Sequence, residues 1–216
     1  MNPKWSAACL LLPVAVLAAF SSASAEGIPP NLIEVTSQNK PSCVEYFAID
    51  GKPYCSTTAL LKGDGGVSQT NYDRLNLKFD ERTWLPAWQE RNPNLLTVEY
   101  LVKGDDINSW KELVTSQFVP NTGQLANAQE YVQNFVMRLR NQVPDVQVSY
   151  VMNTPNDVVF EFKIMEPVEM VQDEIQRMFS TEEGLYVVHY AIKKPDMGPE
   201  ARATWTRLLK QATPKQ

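Results

Sequence analysis

Apolar and polar residues alternate along several segments of this chain, and a period of two is typical of β-strands. In "RLNLKF" the residues Leu75, Leu77 and Phe79 fall on one face, and residues 95–103, "LLTVEYLVK", are rich in β-forming side chains. The segments "VQVSYVM" and "DVVFEFKIM" flank the turn sequence "NTPN", which predicts a hairpin. Residues 185–193, "LYVVHYAIK", are apolar on both faces, as expected of a central strand that is covered on both sides.

Two other segments have the 3.6-residue period of amphipathic helices. The first lies within residues 124–144, "QLANAQEYVQNFVMRLRNQVP", where Asn127 and Glu130 resemble a capping box and Pro144 follows the end. The second begins at about Pro199, because proline is favoured in the first turn of a helix. The apolar stripes that predict the helices are Leu125, Ala128, Val132, Phe135, Val136 and Leu139 in the first, and Ala201, Trp205, Leu208, Leu209 and Ala212 in the second.

The pattern is ambiguous in two segments. In residues 109–118, "SWKELVTSQF", Trp110 and Val114 have helical spacing, but alternation and β-branched content favour a strand after a short helical turn near Trp110. In residues 166–179, "EPVEMVQDEIQRMF", several apolar residues also have helical spacing. The following "STEEG" resembles a hairpin loop, so we predict a strand for "DEIQRMF". Whether residues 168–173 are helix or strand stays open.

These elements together predict an α+β fold, in which helices pack on a mostly antiparallel β-sheet. We divide the chain into three parts. Residues 1–25 are a signal peptide, and residues 26–70 are an N-terminal extended segment with a disulfide hairpin and a Gly-rich loop. Residues 71–216 are the α+β domain.

The N-terminus has the pattern of a secretory signal. Lys4 supplies a positive charge, residues 7–20 are apolar, and residues 23–25, Ala-Ser-Ala, match a small-x-small cleavage site before Glu26. The apolar run is shorter than the roughly 20 residues of a transmembrane helix. We therefore predict a periplasmic or secreted protein that has no stable membrane span after signal cleavage.

The cysteines outside this signal, Cys43 and Cys55, flank the turn sequence Asp50-Gly51. An even number of cysteines in an exported chain predicts a disulfide bond between them. A two-residue turn at Asp-Gly pairs Cys55 with Tyr46, so directly opposed cysteines require a longer or bulged loop. We interpret this bond as structural, because the spacing differs from the C-x-x-C of redox proteins.

Charge and composition exclude several classes of function. The chain has 20 basic and 25 acidic residues and a formal net charge of −5, which argues against nucleic acid as a partner. The single histidine, His189, lies in an apolar segment, and Ser116 is the hydroxyl that we consider as its neighbour across the sheet. The adjacent acids at 80–81, 105–106 and 182–183 fall beside predicted turns, where carboxylates are usually solvated. We therefore assign no catalytic residue, no metal site and no cofactor.

The tryptophans are the remaining candidates for a binding site. Trp84, Trp88 and Trp110 fall near the ends of predicted strands. Large aromatic side chains there belong either to the core or to the rim of a groove, because aromatic residues are enriched at interfaces. We propose Trp84 and Trp88 as residues of a binding surface.

The order of elements resembles a known fold family. "SWKELVTSQF", followed by a helix, a hairpin, "GLYVVHYAIK" and a closing helix with Trp205 and Leu209, resembles uncharacterised exported bacterial proteins with a Mog1/PsbP-like α/β/α sandwich. The resemblance covers about Asn71 to Ala212, and it implies a binding or assembly role. We therefore expect an exported, non-enzymatic binding or assembly module whose partner is an envelope protein or a small ligand. The alternative is a small periplasmic hydrolase with a Ser/His or carboxylate site.

Overall fold

Most of the segments with alternating apolar residues are strands of one large sheet. The structure, a computed structural model, describes residues 32–36, 38–39, 43, 45–49, 51–58, 73–92, 94–121 and 127–215. The strands in this part of the chain are β1 (Ile33–Glu34), β2 (Glu45–Ile49), β3 (Lys52–Ser56), β4 (Leu75–Asn76), β5 (Trp84–Asn92), β6 (Leu95–Val102), β7 (Glu112–Pro120), β8 (Gln147–Asn153), β9 (Asp157–Ile164), β10 (Gln172–Ser180), β11 (Gly184–Ile192) and β12 (Thr213–Pro214).

Ten of these strands form one mostly antiparallel sheet in the order β1-β3-β2-β5-β6-β7-β11-β10-β9-β8. Among the described pairings in this sheet, only that of β2 with β5 is parallel. The predicted hairpin is confirmed as β8 and β9. The predicted central strand is confirmed as β11, which is buried along its whole length between β7 and β10.

Both predicted helices are confirmed, and they cover opposite faces of the sheet. α1 (Ala128–Gln142) begins after Asn127, whose side chain accepts a hydrogen bond of 2.9 Å from the backbone N–H of Glu130. Val187 of β11 belongs to the apolar cluster of α1. Its neighbour Val188 belongs to the cluster of α2 (Pro199–Lys210), because successive side chains of a strand point to opposite faces.

The two ambiguous segments each contain a short 3₁₀ turn followed by a strand. Residues Ile107–Ser109 form such a turn, capped by Asp106, and β7 follows, which confirms the predicted order of turn and strand. Residues Val168–Met170 form a second 3₁₀ turn, and β10 begins at Gln172. The strand predicted for "DEIQRMF" is therefore confirmed.

The first predicted strand is much shorter than its alternation suggests. Only Leu75–Asn76 is a strand, and it pairs with β12 instead of joining the large sheet. Leu75, Leu77 and Phe79 still pack together on the cluster of α2, so the alternation reflects burial without continuous strand pairing. In contrast, β5 runs from Trp84 to Asn92 although it contains Pro86, which lies beside a break in the register with β6.

The N-terminal hairpin is joined to the sheet through β2 and β5. Ile49 pairs with Lys52, so the turn has two residues, and Gly51 takes the positive φ of +77° that glycine tolerates. Cys55 faces Tyr46 in this register, and the predicted disulfide is confirmed: it links Cys55 to Cys43, which precedes β2. The two cysteines are 5.8 Å apart at Cα without being cross-strand partners.

Two segments predicted from the sequence lie outside the described residues: the signal peptide at 1–25 and the Gly-rich loop around residues 63–66. Leu125, the first residue of the apolar stripe predicted for the first helix, also lies outside them. Within the described part of the chain, no helix is long and apolar enough to cross a membrane.

Candidate functional site

A row of polar side chains crosses the sheet on the face that carries α1. In the strand register Gln176 of β10 lies beside His189 of β11, His189 beside Thr115 of β7, Thr115 beside Glu99 of β6, and Glu99 beside Trp88 of β5. We call these five residues the polar row. Gln176, His189, Thr115 and Glu99 are between 0 and 6% exposed, whereas Trp88 is half-buried.

The polar row lies between two apolar clusters on this face of the sheet, which also carries the buried polar residues Glu174, Gln117 and Thr97. Met178 of β10 and Val187 of β11 lie two residues from the row towards one end, and they pack with α1. Two residues towards the other end lie Leu113 and Ala191, which pack with Trp110. Polar residues this deeply buried between two apolar clusters cost free energy unless they are hydrogen-bonded, so their hydrogen bonds determine what the site does.

Glu174 organises one end of the polar row. Its carboxylate accepts hydrogen bonds from the amide nitrogens of Gln172 and Gln176, and its Oε1 lies 2.8 Å from Nδ1 of His189. Two lone pairs would repel at that distance, so Nδ1 carries the hydrogen, although the donor geometry falls short of a regular hydrogen bond. Three donors therefore surround one buried carboxylate.

Lys193 extends this cluster to the edge of the face. Its Nζ donates to Oε1 of Gln172 at 3.1 Å and lies 4.4 Å from the ring centroid of Trp110. Burial lowers the pKa of Lys193, and the negative charge of Glu174 opposes that effect. An ammonium group is thus held here by an amide oxygen, an aromatic ring and a nearby carboxylate.

Four atoms of the polar row are buried without a regular hydrogen bond within the described structure. One of them, Nδ1 of His189, faces Glu174. The other three are Oγ1 of Thr115, Oε1 of Gln176 and Nε2 of His189. Each unsatisfied buried group costs about 1–3 kcal/mol. The three belong to neighbouring strands, which lie about 4.8 Å apart. A concentration of such costs in one place is typical of a functional site, where local rules of folding are violated.

The two tryptophans predicted for a binding surface lie on opposite faces of the sheet. Trp84 is 8% exposed and packs against Trp205, with ring centroids 5.3 Å apart, while its Nε1 donates to Asp80 at 2.9 Å. Trp88 belongs to the polar row. Trp110 is buried against Leu113. The structure therefore does not bring Trp84 and Trp88 together, and a binding role for either stays a prediction.

Ser116 is not the neighbour of His189. The register pairs His189 with Thr115 and Val188 with Ser116, so the hydroxyl of Ser116 points to the face of α2. There it donates a hydrogen bond of 2.6 Å to Asp73. The side chain of Tyr100 also donates to Asp73, and burial and the Asp73 charge raise the pKa of Tyr100. The hydrogen bond of Ser116 to Asp73 therefore helps to hold the residues before β4 against the sheet.

Two buried carboxylates on the α2 face, those of Asp173 and Glu161, were not predicted from the sequence. Asp173 is fully buried beside Glu161, and burial, together with this neighbour, raises the pKa of Asp173 to about 6. Arg202 of α2 binds Glu161 at 2.8 Å, and the backbone N–H of Met197 donates to Asp173 at 2.7 Å. These contacts attach the start of α2 to β9 and β10.

The acid pairs next to turns have local roles. Asp80 binds Arg82, Asp106 caps the 3₁₀ turn that precedes β7, and Glu183 accepts a hydrogen bond of 2.8 Å from Tyr186. No group of three or more His, Cys, Asp or Glu residues within the described ranges could hold a metal ion.

One sequence signal pointed to the polar row. Gln172, Glu174 and Gln176 recur at every second residue within "VQDEIQRMF", which places three long polar side chains on one face of a strand. Thr115 and Gln117 repeat the pattern in β7. The pattern does not specify the strand register, which places Gln176 and Thr115 on either side of His189.

Comparisons with known proteins give one match. Neither the curated proteins nor the solved structures contain a match to this chain. A protein-family model matches residues 74–216, from just before β4 to the end of the chain, and leaves the disulfide hairpin outside the match. Because the match spans more than half of the sequence, the chain belongs to this uncharacterised protein family.

Proposed function

We propose that the protein is an exported, non-enzymatic binding module of the bacterial envelope, and that the polar row holds its ligand. The observation that carries the proposal is the trio of unsatisfied buried atoms on Thr115, Gln176 and His189. A protein that retains such groups loses stability, and a bound ligand that pairs with them recovers it.

Two further observations support the proposal. The Cys43–Cys55 disulfide fits an oxidising compartment outside the cytoplasm. The helices on opposite faces of an antiparallel sheet agree with the α/β/α layers of the Mog1/PsbP-like proteins, whose roles in binding and assembly this chain shares in our proposal. Fold analogy alone does not establish the function, so the polar row remains the main support.

The test uses the processed protein recovered from the periplasm of a bacterial expression host. Native mass spectrometry of the freshly purified protein should show a co-purified small ligand, and the isosteric change Thr115→Val should remove it. Ser116→Ala is the matched control, because it deletes the neighbouring hydroxyl on the opposite face. Loss of the ligand from both variants, or no ligand in any preparation or added extract, contradicts the proposal.

A second candidate is a small hydrolase. The observation in its favour is the order carboxylate, imidazole, hydroxyl: Glu174 lies 2.8 Å from Nδ1 of His189, and Thr115 is the direct cross-strand neighbour of His189. Hydrolysis of p-nitrophenyl acetate decides between the two functions. Activity that disappears in both Thr115→Val and His189→Gln, while the folded fraction stays unchanged, favours the hydrolase over the binding module.

A further inference from the structure

We infer that the polar row binds the protonated amine of a small ligand. This inference rests on the proposed function and names the chemical class of the ligand. It uses three residues of the row, Gln176, His189 and Thr115, because the other two, Glu99 and Trp88, lie one and two strands beyond Thr115. It also uses Glu174, which determines where the hydrogens of this site lie.

The contacts of Glu174 determine which atoms face the ligand. A carboxylate only accepts hydrogen bonds, so the amide of Gln176 must direct its NH₂ group at Glu174 and its Oε1 away. In the same way Nδ1 of His189 carries the hydrogen that faces Glu174. In the neutral imidazole that we infer here, Nε2 then offers a lone pair. Two acceptors therefore stand side by side, and both are unpaired in the described structure.

The third group, the hydroxyl of Thr115, can accept as well as donate. Because neighbouring strands lie about 4.8 Å apart, the side chains of Gln176, His189 and Thr115 follow one another in one row across the sheet. An ammonium group has three N–H donors and no acceptor, which matches two acceptors and a hydroxyl. A carboxylate or phosphate would instead place its lone pairs against Oε1 and Nε2, close to the charge of Glu174.

Glu174 is the charged group next to the atoms assigned to the ligand, and no Lys or Arg among the described residues forms an ion pair with it. Glu174 is 2% exposed, and its contacts are the neutral donors Gln172 and Gln176 together with His189. The same cluster already holds one ammonium group, that of Lys193, between an amide oxygen and the ring of Trp110. Lys193 lies at the Gln172 side of Glu174, whereas the atoms assigned to the ligand lie at the Gln176 side.

His189 provides the readout, since it is the single histidine of the chain and gives one set of imidazole signals. The processed ¹⁵N-labelled protein is titrated with n-butylammonium chloride, and long-range ¹H–¹⁵N spectra follow Nδ1 and Nε2. We expect a neutral imidazole with its hydrogen on Nδ1 and a saturable shift of Nε2. Potassium chloride and n-butanol at the same concentrations should give no saturable shift.

Variants separate binding at the polar row from general effects of the salt. Gln176→Leu and Thr115→Val should weaken n-butylammonium binding at least tenfold, while Ser116→Ala should keep the affinity of the parent protein. An imidazole protonated on both nitrogens, a hydrogen on Nε2 in the free protein, or equal binding of n-butanol overturns the inference.

The outcome of the co-purification experiment is separate from this one. A co-purified ligand that depends on Thr115 but contains no amine overturns the assignment of the amine and leaves the binding module standing. Loss of the ligand from Ser116→Ala as well as Thr115→Val contradicts the binding module itself.

Discussion

Thr115 and Ser116 are consecutive residues of β7 whose hydroxyl groups have opposite surroundings. Thr115 is fully buried with an unpaired Oγ1, whereas Ser116 donates to the carboxylate of Asp73. Thr115→Val replaces the unpaired hydroxyl by a methyl group of the same shape. It should raise the free energy of unfolding of the ligand-free protein by about 1 kcal/mol in urea titrations.

Ser116→Ala should have the opposite effect. It removes one donor from the buried carboxylate of Asp73 and should lower the free energy of unfolding by about 1–3 kcal/mol. The test is the difference between the free energies of unfolding of the two variants. Equal destabilisation by both would mean that the hydroxyl of Thr115 is already satisfied in the folded protein, and the polar row would then lose its main support.

Asp173 makes the stability of the protein depend on pH. Its pKa is about 6 in the folded protein and about 3.8 in the unfolded chain, so the folded state holds a proton that the unfolded state releases. The stabilisation from this proton is complete below pH 4 and is lost as the pH rises through 6. The neutral amide introduced by Asp173→Asn resembles the protonated acid, so the variant should gain on the order of 2–3 kcal/mol over the parent between pH 4 and pH 7.

The measurement is urea unfolding of both proteins across that range. Asp196→Asn is the control, because Lys163 and Arg202 hold the pKa of Asp196 below its ordinary value. A carboxyl with a lowered pKa loses its contribution only as the pH falls below about 4. Its difference from the parent should therefore be constant between pH 5 and pH 7, and a constant difference for Asp173→Asn as well would rule out the raised pKa.

At the level of secondary structure, the packing of α2 on the sheet depends on the aromatic side chain of Trp205. Trp205 is 2% exposed, stacks on Tyr190 with ring centroids 4.1 Å apart, and meets Trp84 edge to face. Trp205→Ala should lower the free energy of unfolding by about 3–5 kcal/mol, because it removes a buried indole and leaves a cavity in the core. Arg207→Ala, on the exposed face of α2, should change it by less than about 0.5 kcal/mol.

Chemical denaturation of the two variants checks this prediction. Both substitutions lie in α2 and leave the residues of the sheet and of α1 unchanged, so the difference between them reports the contact of the tryptophan ring. A loss below about 1 kcal/mol for Trp205→Ala would show that α2 contributes little to the core.

The elements themselves were largely predictable, for reasons that differ along the chain. The α1 helix has both a capping residue, Asn127, and a continuous apolar stripe, so local interactions and packing agree. In residues 75–79 the alternation is equally regular, yet only Leu75–Asn76 pairs, because the available partner, β12, has two residues. In β5 the proline argues against a strand in the sequence pattern, but pairing with β2 on one side and β6 on the other stabilises it.

At the scale of the whole molecule, the disulfide closes the N-terminal hairpin that extends the sheet beyond the family match. The 12-residue separation of Cys43 and Cys55 corresponds to roughly 3 kcal/mol in the chain-entropy treatment of cross-links. The paired change Cys43→Ser with Cys55→Ser should lower the free energy of unfolding by about that amount. Alkylation of the unreduced processed protein, followed by mass spectrometry, should modify neither cysteine, and two alkylated thiols would refute the bond.

Features that depend on neighbouring residues can be predicted from the sequence alone. These are the two helices, the β8–β9 hairpin, the strand character of residues 185–192 and the pairing of two cysteines around a turn. In each case the period of the pattern, a cap or a turn signal lies within a few residues of the element that it specifies.

Which side chains contact one another depends on the pairing of strands that are distant in the sequence. Thr115, Gln176 and His189 come from three separate strands, and a shift of one residue in the register of β7 would put Ser116 beside His189 and turn Thr115 to the other face. The same holds for Trp84 and Trp88, which the break beside Pro86 and the alternation of β5 send to opposite faces. Register depends on the packing of both faces at once, and no local segment of the chain contains that information.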